Sequence, residues 1–220
     1  MRKISLPAVF VLVLLLLVAS VSLGFLFRSR NLAQPVSPAK LDPNRQAQRV
    51  ETPNASWEPS FFLALDERIQ KVKLPSLRTV VLSDPDLEVR FWYDGRPDVI
   101  AGFVMRRSTG RWSALGVRQT RNRQPSEVIL EVLGTPKSGW ETVWAKLVSA
   151  GILKLRDASE LDCNAPGFDT VAYVIETNVN GIYRTYRYSN PLHAKCDEAK
   201  RIVLIEEIMD EEFGVQSRQK

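Results

Sequence analysis

The stretch TVAYVIETNVNGIYRTYRYSNP, residues 170–191, decides how the C-terminal half of this chain folds. Two runs rich in Val, Ile, Thr and Tyr flank Asn180-Gly181, and this dipeptide favours the two positive-φ positions of a type I′ turn. A two-residue loop fixes the strand register, because a slip of one residue would turn every side chain to the opposite face. The stretch therefore predicts a β-hairpin with one defined core face.

The predicted register gives the hairpin two different faces. One is mostly apolar and aromatic, with the cross-strand pairs Val179–Ile182, Thr177–Arg184, Ile175–Tyr186 and Tyr173–Tyr188. The other is mostly polar and is expected to face water, with Asn178–Tyr183, Glu176–Thr185 and Val174–Arg187, and a diagonal ion pair between Glu176 and Arg187. We expect the tyrosines to pack in a core with their hydroxyl tips reaching solvent. A platform for stacking sugars or bases is the alternative.

The charge of the chain is concentrated near its N-terminus. The 220 residues carry a formal net charge of +5, and residues 1–30 hold four of the 30 basic side chains and none of the 25 acidic ones. The rest of the chain is therefore almost neutral. A nearly neutral domain argues against nucleic-acid binding, whose affinity comes largely from neutralising phosphates.

Residues 1–30 have the composition of a membrane-targeting segment. Residues 4–27 form a run of 24 residues without a charge, with two basic residues on either side. The apolar part of a signal peptide usually has ~7–15 residues, whereas a spanning helix needs about 20. We expect an uncleaved single-pass anchor, with the following domain outside the cytoplasmic membrane. Small residues at 19–24 leave open a cleaved signal segment and a freely secreted domain.

A single α+β domain is predicted to follow the anchor. Residues 31–56 hold four prolines among polar residues. We expect them to form a linker, because they offer too little apolar surface to offset the entropy of ordering. The domain is expected to span residues 57–213, and residues 214–220 should form a frayed tail.

The pattern of the domain predicts an antiparallel sheet covered by two or three helices. Helical spacing of apolar residues predicts helices over residues 57–72, 138–150 and 195–213. The capping box Ser138-Gly139-Trp140-Glu141 should open the second helix, and Gly151 should close it. Runs separated by turn residues predict four strands before the hairpin, over residues 77–82, 87–93, 99–107 and 111–118.

Cys163 and Cys196 are the only cysteines of the chain. An even cysteine count in an exported protein favours a disulfide, which would join the loop before the hairpin to the start of the last helix. The alternative is a zinc site that combines Cys163 and Cys196 with His193 and an aspartate. The acidic residues of loop 157–169 lack the spacing of a calcium-binding loop, so we expect that loop to be solvated.

Six arginines between residues 105 and 126 form a cluster without an acidic residue. They are Arg106, Arg107, Arg111, Arg118, Arg121 and Arg123, with Trp112 among them. The cluster is a candidate contact for lipid head groups, an anionic polymer or an acidic envelope protein; the alternative is a solvated hairpin whose arginine stems cover apolar surface. The acidic end of the last helix is complementary in charge, so the two regions could meet within the domain or between two copies.

No catalytic or cofactor motif is present in the sequence. His193 is the single histidine, and there is no nucleophile elbow, phosphate-binding glycine loop, zincin motif or dinucleotide fingerprint. We therefore expect a non-enzymatic, membrane-anchored interaction or envelope-structural module without cofactor or metal. The alternative is a small envelope hydrolase that works through carboxylates, for which Asp162, Asp169 and Glu176 lie nearest to the aromatic hairpin.

The C-terminal half also carries a combination of short patterns. They are W-x2-V-W-x2-L and G-x-L-x-L-x-D within residues 140–157, a hairpin that ends Y-R-x-Y-x-Y-x-N-P, and E-A-x-x-I at the start of a helix. With this combination of patterns, the C-terminal half resembles small exported bacterial domains of uncharacterised function. The resemblance implies export and brings no activity or site residues.

Overall fold

The computed structural model describes residues 48–49, 55–96, 99–119, 127–161, 163 and 171–214. All of them belong to one unit, Asp42–Lys220. The predicted anchor, the tail 215–220 and most of the predicted linker lie outside the described residues. Within those residues, no helix has the length and apolar character needed to cross a membrane.

Strands of the described residues form one sheet of seven. They are β1 (Gln48–Arg49), β2 (Leu87–Arg96), β3 (Val99–Ser108), β4 (Arg111–Gln119), β5 (Val128–Leu133), β6 (Ala172–Val179) and β7 (Ile182–Ser189). Their order across the sheet is β1-β7-β6-β2-β3-β4-β5. All neighbours are antiparallel except β1 and β7, which pair in parallel.

Helices cover both faces of the sheet. They are α1 (Glu58–Ile69), which continues as a 3-10 turn to Val72, α2 (Trp140–Ala150) and α3 (Asp197–Phe213). Apolar residues of α2 and α3 form one core with the sheet face that bears Tyr173, Tyr186 and Tyr188, here called the tyrosine face. Those of α1 form a second core on the opposite face, which bears Glu176 and is called the glutamate face. The predicted α+β class, antiparallel sheet and helical cover are confirmed.

The hairpin β6–β7 has the predicted register. All four pairs of the apolar face and all three pairs of the polar face are present. Asn180 and Gly181 both have positive φ, at 54° and 76°, as a type I′ turn requires. The tight turn therefore determines the strand pairing as expected.

The hairpin tyrosines are buried in the core, but the prediction that their hydroxyl groups reach solvent is wrong. Tyr173 donates to Glu206 Oε2 at 2.7 Å, Tyr186 to the carbonyl oxygen of Ile152 at 2.8 Å, and Tyr188 to that of Arg156 at 2.6 Å. Burial leaves these hydroxyls without water, so each one needs a protein acceptor. The rings are consequently structural and offer no stacking platform.

The prediction that the polar side of the hairpin faces water is also wrong. Glu176, Asn178 and Thr185 are buried. Asn178 donates to the carbonyl oxygen of Val80, so the segment after α1 lies over this side of the hairpin. Glu176 does not pair with Arg187 either, because Arg187 forms an ion pair with Asp94 at 3.1 Å.

The strand predictions are partly correct. The strands over 87–93, 99–107 and 111–118 are confirmed, with slightly longer bounds. The strand predicted over 77–82 is wrong: residues Leu77–Thr79 form a 3-10 turn, and the carbonyl oxygens of Leu77 and Val80 accept bonds from the Asn178 side chain. The sequence analysis missed β5 as well as β1, which lies in the predicted linker.

The three predicted helices are confirmed, but the capping box is wrong. Gly139, not Ser138, is the N-cap of α2, and it makes no side-chain cap bond. The Ser138 hydroxyl donates to Glu212 Oε1 at 2.8 Å, and Glu141 accepts from the Trp112 indole at 2.7 Å. Tertiary partners thus replace the local cap. Gly151 closes α2 with φ of 98°, as predicted.

The predicted disulfide between Cys163 and Cys196 is present, with the two Cα atoms 5.4 Å apart. Because both thiols are oxidised, the alternative zinc site with His193 has no thiolate ligands. Loop 157–169 is not simply solvated at its start, because Asp157 is buried and accepts bonds from Trp57 Nε1, from Ser159 and from the backbone amide of Arg187.

Removing the disulfide should destabilise the domain. The bond closes a loop with a sequence separation of 33. In the chain-entropy model this stabilises the folded state by about 3–4 kcal/mol. We expect the double variant Cys163→Ser, Cys196→Ser to lose that amount in denaturant unfolding of the full chain in detergent. A reductant should lower the wild type to the level of the variant and leave the variant unchanged; a wild type insensitive to complete reduction would contradict the prediction.

Candidate functional site

Glu176 on β6 is the centre of the buried polar layer on the glutamate face. Its side chain is 1% exposed. One carboxylate oxygen accepts from Trp92 Nε1 at 2.7 Å and the other from the Tyr183 hydroxyl at 3.0 Å. Trp92 lies on β2 and Tyr183 on β7, so this one carboxylate joins the three adjacent strands β7, β6 and β2.

Gly102 makes room for this arrangement. It lies directly opposite Trp92 on β3. A Cβ atom at Gly102 would come within 2.2 Å of Trp92 Cε3, which no side chain can tolerate. The glycine therefore lets the indole ring lie flat over β3 while its N–H reaches Glu176.

Arg90 occupies the position opposite Glu176 on β2. Its Nε donates to Glu88 Oε1 at 2.7 Å, and Nη2 donates to the carbonyl oxygen of Pro75 at 2.8 Å. Arg106 Nε lies 3.5 Å from the other oxygen of Glu88. The buried layer is thus balanced in charge, with two arginines and two glutamates, as desolvated charges require.

The chemistry of this layer is structural. Burial, and after it the nearby Glu176 carboxylate, raise the pKa of Tyr183 well above its usual value. Tyr183 therefore remains protonated and donates its hydrogen to Glu176. A carboxylate that is enclosed by two donors and kept from water is poorly placed to act as a general base.

Replacing Glu176 should test its structural role. Glu176→Leu leaves the Trp92 and Tyr183 donors buried without an acceptor, and we expect a loss of about 2–4 kcal/mol in the free energy of unfolding. Glu131→Leu is the matched control, since its ion pair with Arg118 is exposed and should contribute less than about 1 kcal/mol. Equal effects of the two substitutions, measured by denaturant unfolding, would contradict the assignment.

Other buried acids of the described residues are also bound to internal donors. Glu206 accepts from Tyr173, and Glu212 accepts from Ser138 and from Lys146 Nζ at 2.5 Å. Burial opposes ionisation of Glu212, but the bonds from Lys146 and Ser138 outweigh it and hold the pKa at about 2. Asp162 and Asp169, the other two acids considered for a hydrolase, lie outside the described residues.

The buried tyrosines should make stability depend on alkaline pH. Burial is the largest cause that raises the pKa of Tyr183, Tyr186 and Tyr188 above the ordinary value of 10. Because the folded state holds these protons more tightly than the unfolded state, stability is full below pH ~10 and falls as the pH rises above it.

We expect Tyr186→Phe to reduce this alkaline loss by up to about 1.4 kcal/mol per pH unit, since one ionisable group is removed. The measurement is the free energy of unfolding in denaturant between pH 9 and pH 11. The variant will also lose the hydrogen bond to Ile152, which lowers stability at every pH, so only the slope tests the prediction. Identical slopes for the two proteins would contradict it.

The predicted arginine cluster is divided between the two faces of the sheet. By the strand registers, Arg106 and Arg111 point to the glutamate face, whereas Arg107 and Arg118 point to the tyrosine face. Arg121 and Arg123 lie outside the described residues. The sequence places these side chains close together, but the alternation of β-strands separates them.

Three of the four described arginines have internal partners. Arg106 is beside Glu88, Arg107 donates to the carbonyl oxygen of Pro85 and lies over the Trp112 ring, and Arg118 pairs with Glu131 at 2.9 Å. Arg111 begins β4 and is exposed. Two of these arginines are therefore exposed, Arg111 at the start of β4 and Arg118 near its end.

The sheet edge formed by β5 has exposed apolar side chains, and the sequence analysis did not predict it. β5 is the last strand of the sheet order and pairs with β4. Its Val132 is 69% exposed and its Ile129 is 37% exposed. We call this edge region the β4–β5 surface; it includes Arg111 and Val132 on the glutamate face and Arg118, Ile129 and Glu131 on the tyrosine face.

Among the residues that the structure describes, no group of three or more His, Cys, Asp or Glu side chains could hold a metal ion. His193 is exposed at the end of the 3-10 turn Pro191–His193, three residues before Cys196 of the disulfide. No family model, curated protein or solved structure matches this chain.

Proposed function

We propose that the chain is an exported, membrane-held interaction module that binds its partner through the β4–β5 surface. The observation that carries this proposal is the combination of a sheet edge with exposed apolar side chains, Val132 and Ile129, on the strand that forms it. Edge strands present backbone groups that can pair with another strand, and exposed apolar side chains next to such an edge are typical of contact sites.

Only two of the six predicted arginines, Arg111 and Arg118, contribute to this surface. Arg118 lies in the part of β4 that pairs with β5, opposite Ile129, whereas Arg111 precedes that part by three residues. Each is exposed enough to meet an acidic group of a partner. Arg106 and Arg107 are held by Glu88 and Pro85, so reversing their charge would disturb the fold as well as the surface.

The internal use of the carboxylates supports a binding role over hydrolysis. Within the described part of the chain, Glu176, Glu206 and Glu212 each accept hydrogen bonds from buried or neighbouring side chains. A hydrolase that works through carboxylates needs two of them open to substrate and water. Export and attachment to the membrane are supported by the uncharged run over residues 4–27.

Crosslinking in intact cells should test the contact surface. A tagged full chain would be crosslinked, solubilised in detergent, captured and analysed by mass spectrometry. We expect Val132→Lys to lower the yield of the crosslinked partner at least tenfold, because a charge then replaces an apolar contact. Leu63→Lys is the control, since Leu63 is 68% exposed on α1 and is not among the α1 residues that share a core with β5.

Arg111→Glu tests the charged part of the same surface. We expect it to lower the capture of an acidic partner, and its exposed position should leave the fold intact. Capture that is unchanged in both Val132→Lys and Arg111→Glu would overturn the proposed contact surface. Equal losses in Val132→Lys and Leu63→Lys would overturn it as well, because the effect would not depend on β5.

A further inference from the structure

We propose that the partner at the β4–β5 surface is a second copy of this chain, joined through antiparallel pairing of the two β5 strands about a twofold axis at Leu130. The inference rests on the proposed function, because it needs the β4–β5 surface to be a contact surface. It adds the identity of the partner and the register of the pairing.

β5 lacks several of the features that usually protect a sheet edge, although Glu131 places one charge in the strand and the 3-10 turn after α1 contacts it. Natural edge strands are commonly blunted by lysine, proline, bulges or a covering segment. The six residues of β5, VILEVL, contain neither lysine nor proline, and they pair with β4 without a shift of register. At the opposite end of the sheet, β7 is instead paired along part of its length with β1. The composition of β5 strongly favours an extended strand.

Among twofold axes at Ile129, Leu130 and Glu131, the three that pair most of the strand, the charge pattern of β5 favours the axis at Leu130. An axis perpendicular to the sheet keeps each face continuous, so residues of the same face must lie opposite each other. An axis at Glu131 would place Glu131 opposite its own copy, and an axis at Ile129 would place Glu127 opposite Glu131 twice. Like charges directly opposite each other are destabilising. An axis at Leu130 places Glu131 opposite Ile129 and avoids both conflicts.

The same register joins the apolar residues of the glutamate face. Val128, Leu130 and Val132 all point to that face, as their pairing with β4 shows. About an axis at Leu130, Val132 lies opposite Val128 of the second copy, and the two Leu130 side chains lie opposite each other. Val132, 69% exposed in one copy, is then covered in the pair. The strand thus meets its own copy through apolar residues and without opposed like charges, which a binding site for an anionic polymer would not require.

The mass of the purified full chain in detergent tests the pairing. Light scattering coupled to size exclusion, corrected for detergent, should give a dimer at high concentration and a monomer on dilution. Val132→Lys should weaken dimerisation at least tenfold, because two charges enter the joint strand pair. Leu63→Lys, which has a similar exposure on α1, should leave the dissociation constant unchanged.

Ile129→Lys tests the register. With the axis at Leu130, each new lysine lies directly opposite Glu131 of the second copy, so dimerisation should stay as tight as in the wild type or become tighter. With the axis at Ile129, the two lysines would lie opposite each other and the dimer would weaken. A weaker dimer in Ile129→Lys therefore overturns the register.

Three results overturn the inference as a whole. They are a wild type that is monomeric at all concentrations, a dimer that persists in Val132→Lys, and equal weakening by Val132→Lys and Leu63→Lys. A monomeric chain that still loses its crosslinked envelope partner in Val132→Lys would overturn the self-association alone and leave the proposed function standing.

Discussion

The hydrogen bonds of the buried Glu176 carboxylate are the constraint on which the rest of the sheet depends. An ionised carboxylate away from water is stable only when donors replace its hydration, and here Trp92 and Tyr183 supply them from the strands β2 and β7. To bring the indole N–H to this point, the facing residue on β3 must be Gly102. One buried side chain therefore connects residues of three strands that are far apart in the sequence.

Burial of this layer also explains why the sheet has two covered faces. The tyrosine face carries most of the apolar core under α2 and α3, and the hydroxyls of Tyr186 and Tyr188 reach carbonyl oxygens of the chain after α2. The glutamate face is closed by α1 and by the segment that follows it, whose carbonyl oxygens accept from Arg90 and Asn178. Polar side chains thus hold in place a segment with no regular strand or long helix. The Cys163–Cys196 bond and Asp157 anchor the loops at the C-terminal side in a similar way.

The features predicted correctly are those that depend on a few neighbouring residues, such as a turn dipeptide or a helix-capping glycine. The register of β6–β7 follows from Asn180-Gly181, and α2 ends at Gly151 because that position has a left-handed conformation. The predicted capping box is absent because the Ser138 hydroxyl donates to Glu212, which lies 74 residues further along the chain. The burial of Glu176 could not be predicted either. Alternation shows that the two sides of a hairpin differ, but what covers each side depends on which strands become neighbours and where α1 packs.

The arginines show that functional predictions, too, depend on which strands become neighbours in the fold. A run of like charges in sequence suggests one surface, but a strand sends neighbouring side chains to opposite faces, and the fold brings Glu88 and Glu131 next to two of these arginines. A cluster of arginines in the sequence therefore overstates the positive charge that any one surface of the folded domain presents. The strand β5 has the opposite character, because its short apolar run looks like an ordinary core strand until the sheet order shows that it lies at an edge. The exposed surface of this fold thus depends on the order of its strands, and in the described part of the chain the last strand of that order, β5, carries the exposed side chains of Val132 and Ile129.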